Sequence, residues 1–242
     1  MMGRDKRRIV GLTLPLMLIG AAAVFLQAAG GADSPSADDI VKKYISALGG
    51  EENLRAVQSK VMKYKVFMQT MPGYLVTQRI DRKGTLKSQR HGSERYLFFD
   101  GEKLWNIHKN QKKELQGKVV DQFRRKADLN GPFLDYRKMG IQLNYLGKTR
   151  VEFSEFHKLE ATWADGTKII YCFDQSDGLL KMTKEPSYRM QNGKITEGPR
   201  TITYYYDYRE VNGILLPFLW IQTDDQLEHM HLFLIENIEI NK

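Results

Sequence analysis

The sequence predicts a mainly β protein: one highly curved antiparallel sheet of roughly nine to eleven strands, with an N-terminal helix and a mid-chain helix covering its concave face. Three observations carry that expectation. Pairs of Asp or Asn followed by Gly recur at Asp100-Gly101, Asp165-Gly166, Asp177-Gly178, Asn192-Gly193 and Asn212-Gly213, and such pairs tolerate the positive φ angles of tight hairpins. Between them lie apolar runs of strand length, such as "RYLFFD", "KLWNIH", "FHKLEATWA", "KIIYCFD", "TITYYYDYREV" and "HLFLIENIEI". Helical spacing is sustained only in "SADDIVKKYISALGG" and "KVVDQFRRKADL", with "EENLRAV" adding a turn or two after the first.

The chain opens on a leader. "MGRDKRR" is a positive n-region, "IVGLTLPLMLIGAAAVFL" an apolar core, and "QAAGGA" a small-residue cleavage region. Residues 1–32 are therefore expected to be a signal peptide cut near Ala32, or alternatively after Gly30, leaving a single domain over 33–242. The rival reading is an uncleaved anchor, because the apolar run approaches spanning length; the small residues and the polar "DSPSADD" beyond them favour cleavage. No Cys stands at the junction to carry a lipid. The leader holds Arg4, Lys6, Arg7 and Arg8 against Asp5, a net +3 of the formal +8. The remaining charge of about +5 is spread among carboxylates; it weakly favours an anionic membrane surface and does not argue for a nucleic-acid partner, and none is expected.

In the first helix Ser36 can cap, and Asp38 and Asp39 suit the positive end of the helix dipole. Ile40, Val41, Tyr44, Ile45 and Leu48 form one stripe, ended by Gly49 and Gly50. From Ser59 the period becomes two. In "SKVMKYKVFMQ", Met62, Tyr64, Val66 and Met68 share one face and Lys63 and Lys65 the other, as in a half-buried strand. The candidate ligand-binding residues follow from such faces: Met62, Tyr64, Val66, Phe98, Trp105, Tyr204 and Tyr206. Large, soft side chains of this kind accept acyl chains, but they equally fill a closed core, and periodicity does not separate the two. The segment "ADLNGPFLDYRKMG" favours the open reading. Gly131 and Pro132 supply a turn, and Phe133, Leu134 and Tyr136, with Met139, are expected to lie over the dry face as a lid.

Signals for chemistry are weak. Cys172 is the single cysteine, so an intramolecular disulfide is impossible, and its apolar strand makes it a buried thiol. His229 and His231 share a strand face without a third metal ligand at fixed spacing. Hydrolase, metalloprotease, nucleotide and dinucleotide motifs are absent from the sequence. No cofactor and no catalysis are expected.

Four stretches carry a resemblance to the exported LolA-like family of outer-membrane lipoprotein-sorting proteins. These are "SADDIVKKYISALGGEENLRAVQSKVMKYKV", "FFDGEKLWNI", "KADLNGPFLDYRKMG" and "YYDYREVNGILLPF". Their order and spacing extend the resemblance over nearly all of the chain after the leader. The resemblance implies an unclosed half-barrel with helices plugging its concave face. It further implies a monomeric periplasmic carrier of lipoprotein acyl chains or other lipids, or, on the same fold, an envelope sensor or scaffold with a protein partner. It also implies an arginine in the barrel that latches the lid; Arg79 and Arg95 are the candidate positions, and neither lies in a diagnostic motif.

Overall fold

The computed structural model describes residues 34–69, 71–151, 154–191, 194–226 and 229–242. The leader and the expected Asn192-Gly193 turn therefore lie outside the described residues; the expected helices are found, as is the antiparallel sheet. Helix α1 (Ala37–Ala47) begins where Ser36 closes a capping box: the Asp39 amide donates to Ser36 Oγ at 3.1 Å, and the Ser36 amide donates back to Asp39 Oδ2 at 3.0 Å. Losing that cap in Ser36→Ala is expected to cost about 1 kcal/mol, measurable by denaturant unfolding. Helix α2 (Glu51–Ala56) follows at once, and α3 (Lys118–Lys126) stands mid-chain.

The join between α1 and α2 shows why this chain needs "ALGG". Gly49 has φ 118°, and a Cβ there would sit 2.1 Å from the Gly213 carbonyl oxygen, a space and a backbone region only glycine fits. The Leu48 carbonyl accepts the Leu215 amide at 2.9 Å. Two of the resembling stretches, far apart in sequence, thus dock on each other through backbone.

The strands are β1 (Ser59–Met68), β2 (Met71–Asp81), β3 (Leu86–Arg90), β4 (Arg95–Phe99), β5 (Leu104–His108), β6 (Gln111–Leu115), β7 (Gln142–Val151), β8 (Ser154–Thr162), β9 (Lys168–Asp174), β10 (Leu180–Gln191), β11 (Lys194–Val211), β12 (Ile214–Asp224) and β13 (Met230–Ile240). Among the described residues they make one antiparallel sheet of 13 strands in the order β6-β5-β4-β3-β2-β1-β13-β12-β11-β10-β9-β8-β7. It is a half-barrel that does not close. The expectation of nine to eleven was low because β3 ("LKSQR") and β6 ("QKKEL") are polar and lack an alternating apolar signal; pairing to neighbours, rather than composition, makes them strands.

The order also answers why residues 127–140 are so apolar. β6 and β7 are consecutive in the chain but form opposite edges of the sheet. The connection between them has to cross the concave face, and α3 with the segment behind it is that crossing. It is buried beneath like any core layer.

Three apolar clusters lie between sheet and cover. Ile40 and Val41 of α1 pack with Phe133, Leu159, Ile169 and Phe173. Leu54 of α2 packs with Met62, Val66, Phe218 and Ile238. Val119, Val120 and Phe123 of α3 lie on Leu86, Phe99 and Leu104. Cys172 is buried in β9, and burial pushes its thiol up to about 11, so it stays protonated and inert. Among the described residues no helix is long and apolar enough to cross a membrane.

Candidate functional site: a covered cavity in the half-barrel

Beneath α1, α2 and residues 128–132 the three clusters leave a cavity of about 300 Å³. Its floor is built by inward-facing residues of the sheet: Met62 on β1, Tyr171 on β9, Tyr205 and Tyr208 on β11, Leu216 and Trp220 on β12. Tyr44 of α1, Leu48 just beyond its end and Leu54 of α2 form one wall, and Leu129 and Pro132 close the top. Trp220 sits centrally, its ring 6.1 Å from both Tyr64 and Phe233 and 6.3 Å from Tyr205.

The phenols here are neutral. Burial pushes Tyr205 up to about 12, and it raises Tyr44, Tyr171 and Tyr208 as well. Tyr208 donates to the Leu180 carbonyl at 2.5 Å, while the Tyr205 hydroxyl lies 3.3 Å from Thr183 Oγ1. A few polar side chains join the apolar lining: Lys60, Arg125, Asp128, Asn130 and Glu185. A mainly apolar hollow with a small number of placed polar groups is the usual make-up of a ligand pocket.

Of the residues singled out from sequence, Met62 lines this cavity, and Tyr64 and Val66 are buried in the cluster directly beside it. Phe133 is 3% exposed and anchors the crossing segment, 5.7 Å from Tyr44, 4.8 Å from Tyr171 and 5.3 Å from Phe173 between ring centroids. Leu134 packs against the α2 cluster. Tyr136 packs on the α1 cluster and donates to Asp38. Met139 departs from its expected place, being 37% exposed.

Four residues stand on the other side of the sheet. Phe98 pairs with Trp105 across β4 and β5, opposite in face to the buried Phe99 and Leu104. Trp105 Nε1 donates to Asp100 Oδ2 at 2.8 Å, and the Lys112 ammonium lies 3.7 Å from its ring. Asp100 also accepts the Glu102 and Lys103 amides, and these bonds, the Lys103 amide first and then the indole, hold its carboxyl down at about 2. The "DGEKLW" stretch is thus a self-bonded turn, away from the cavity. Tyr204 and Tyr206 also face outward, Tyr206 with 46% exposure, while Tyr205 faces in. Three successive tyrosines give no alternation in sequence, and it is the buried Thr203 that fixes the parity of this strand. Asp207, at φ 54°, then breaks the alternation so that Tyr208 also turns inward.

Neither Arg79 nor Arg95 latches the crossing segment. Arg79 Nη2 donates to the Lys242 carbonyl at 2.9 Å, and Arg95 is exposed on β4. Closure uses Arg55 of α2 instead: Nη1 donates to Asp135 Oδ2 at 3.1 Å and Nη2 to Asp135 Oδ1 at 3.2 Å. Arg137 pairs with Asp38 of α1. Arg55 lies in "EENLRAV", where an Arg four residues after Glu51 looks like an ordinary helix ion pair, which it also makes; no local signal pointed to Asp135. The Arg55 bonds, with Lys138 second, hold the Asp135 carboxyl below its ordinary value. A group with a depressed folded pKa contributes stability above the unfolded pKa and loses it as pH falls through the folded one. Acidification from about pH 5 to about pH 3 is therefore expected to lower the amide-exchange protection of residues 128–140, taken relative to their intrinsic rates at each pH, more in the native protein than in Asp135→Asn. An equal acid response would leave closure to apolar packing alone.

Among the described residues no group of three or more His, Cys, Asp or Glu side chains could hold a metal. His229 Nδ1 instead lies 2.7 Å from Asp224 Oδ2.

A half-barrel with an apolar hollow under a latched crossing segment defines a class of open, helix-covered antiparallel folds. Within that class, solved structures identify the fold as LolA-like. A LolA superfamily protein from Nitrosomonas europaea matches with a TM-score of 0.57 at 13% identity, covering 86% of this chain and 95% of that one. A domain from Vibrio parahaemolyticus, assigned to outer membrane lipoprotein sorting, matches with a TM-score of 0.55 at 8% identity over 84% and 94% of the two chains. A DUF1329 family protein from Desulfovibrio piger matches with a TM-score of 0.55 at 8% identity over 84% and 91%. No protein-family model and no curated protein sequence matches the chain.

Proposed function

We propose that the protein is a non-catalytic periplasmic carrier, or chaperone, that holds the acyl chains of lipoproteins or other lipids in the covered cavity. One observation supports this reading: the covering layers leave a partly open cavity of about 300 Å³ lined mainly by aliphatic and aromatic side chains, the usual form of a small-ligand site. Burying acyl methylenes yields roughly 0.8 kcal/mol each, so a sixteen-carbon chain offers on the order of 12 kcal/mol. Association and ordering cost about 4–15 kcal/mol. The modest remainder suits a protein that must also release its cargo. The closing ion pairs fit the same role, since Arg55, Asp135, Arg137 and Asp38 are all substantially solvent-exposed and such pairs open readily. Native mass spectrometry of the purified mature protein, followed by solvent extraction, is expected to show bound lipid, and the stripped protein to take up a fluorescent fatty acid. Failure of both would reject the carrier reading.

A second reading, a sensor or scaffold that binds a protein partner through the sheet, is favoured by the outer face. Register places Tyr206 beside Leu219, Leu219 beside Leu234 and Leu232 beside Phe67, and Tyr206, Leu234 and Phe67 are 46%, 40% and 40% exposed. Apolar strips of this kind mark interaction surfaces. On this reading Leu234→Glu abolishes crosslinking to a partner polypeptide and leaves fatty-acid uptake intact.

A further inference from the structure

We infer that the cavity is shaped for a single-chain amphiphile whose head bears an oxyanion, a carboxylate or a phosphate, received by the Nε–Nη2 edge of Arg125; the inference rests on the carrier reading above. Arg125 lies in the last turn of α3 and lines the cavity. Its side chain is 8% exposed, and Nη1 donates to Asp165 Oδ2 at 3.1 Å. Nε and Nη2 are buried and have no hydrogen-bond partner. Native folds keep such buried unpaired donors few, because each forfeits its hydration without replacement.

Which two nitrogens remain is informative. Nε–H and the outer N–H of Nη2 point in parallel from one edge of the planar guanidinium, the edge that meets both oxygens of a carboxylate or phosphate. The opposite side of the group is already fixed by Asp165, and the Trp163 ring lies 5.5 Å away. The fork is therefore held in place before any ligand enters, which reduces the ordering cost of binding.

The other charged groups in the lining define what kind of recognition this is. Lys60 and Arg125 are matched by Asp128 and Glu185, so no net positive field draws anions in. Asp128 Oδ1 accepts the Asn130 amide at 3.1 Å, and burial raises the Asp128 pKa and lowers that of Lys60. Discrimination falls to directed donors, of which Arg125 supplies two. Asn130 Oδ1, buried without a partner and also in the lining, can accept a hydroxyl proton from the same head. At about 300 Å³ the space is at the small end of ligand pockets, which run from roughly 300 to 1,000 Å³. One chain fits that better than several.

The test uses the delipidated mature protein at about pH 8, where a fatty acid is ionised. Dodecanoate, dodecanoyl lysophosphatidate and methyl dodecanoate compete against a fluorescent fatty acid. At least one oxyanion ligand is expected to bind about ten- to a hundredfold tighter than the ester, as hydrogen bonds to a charged group imply. Whichever of the two binds tighter identifies the source, a free fatty acid or a phospholipid. In Arg125→Gln that preference should vanish while ester affinity stays, and in Asp165→Asn, which removes the ion pair and keeps the fork, it should survive. The inference is overturned if neither oxyanion ligand binds the native protein tighter than the ester, a comparison that needs no variant, or if the preference persists in Arg125→Gln. Should none of the three lipids bind, the carrier reading falls with it.

Discussion

Replacing Phe133 by Ala is expected to lower stability by about 3–5 kcal/mol, the usual range for deleting a buried aromatic ring. Phe133 is 3% exposed and meets Tyr44 on α1 together with Tyr171 and Phe173 on β9. It is therefore the point where helix, sheet and crossing segment are joined. Nearby side chains are poorly placed to fill the space it would leave: they are rings held in edge-to-face contacts, and aromatic pairs lose their preferred geometry when shifted. Denaturant unfolding at unchanged m-value measures the loss. Hydrogen exchange should show residues 128–140 opening first, since Phe133 is their main buried anchor. A loss below about 1 kcal/mol would mean that the segment only rests on the sheet.

Leu216→Trp is expected to weaken fatty-acid binding by roughly thirtyfold with little change in stability. Leu216 lines the cavity from β12 and is only partly buried, so an indole there has room to grow inward. If it displaces two or three methylenes of the ligand, the loss is roughly 2 kcal/mol, which is about thirtyfold in affinity. The contrary outcome is equally definite. In a filled core the added bulk would cost about 1–3 kcal/mol of stability and leave uptake unaltered. Affinity and unfolding free energy measured on one preparation thus decide whether the space is a binding site or a packing defect.

The outward-facing residues show how far local pattern reaches. Phe98, Trp105, Tyr204 and Tyr206 were reasonable by composition, yet all four point away from the hollow. In "RYLFF" and "TITYYYDY" adjacent positions are apolar or aromatic on both parities, and a period of two leaves no trace when both faces look alike. Met62, Tyr64 and Val66 were readable because Lys63 and Lys65 alternate with them. The Arg55–Asp135 latch joins residues eighty positions apart, beyond any local pattern.

Local residue pattern was enough to set the elements: a capped first helix ended by two glycines, hairpins at Asp-Gly and Asn-Gly turns, and an apolar segment after the middle helix. Those features are local, because caps, turns and alternation act over a few residues. Pairing and packing over long range set the rest: β6 and β7 are opposite edges, the intervening segment crosses the concave face, and Arg125 is buried beside the cavity with Nε and Nη2 unpaired. These depend on which distant strands pair and on how completely three layers fill the space between them, and packing of that kind is a property of the assembled volume.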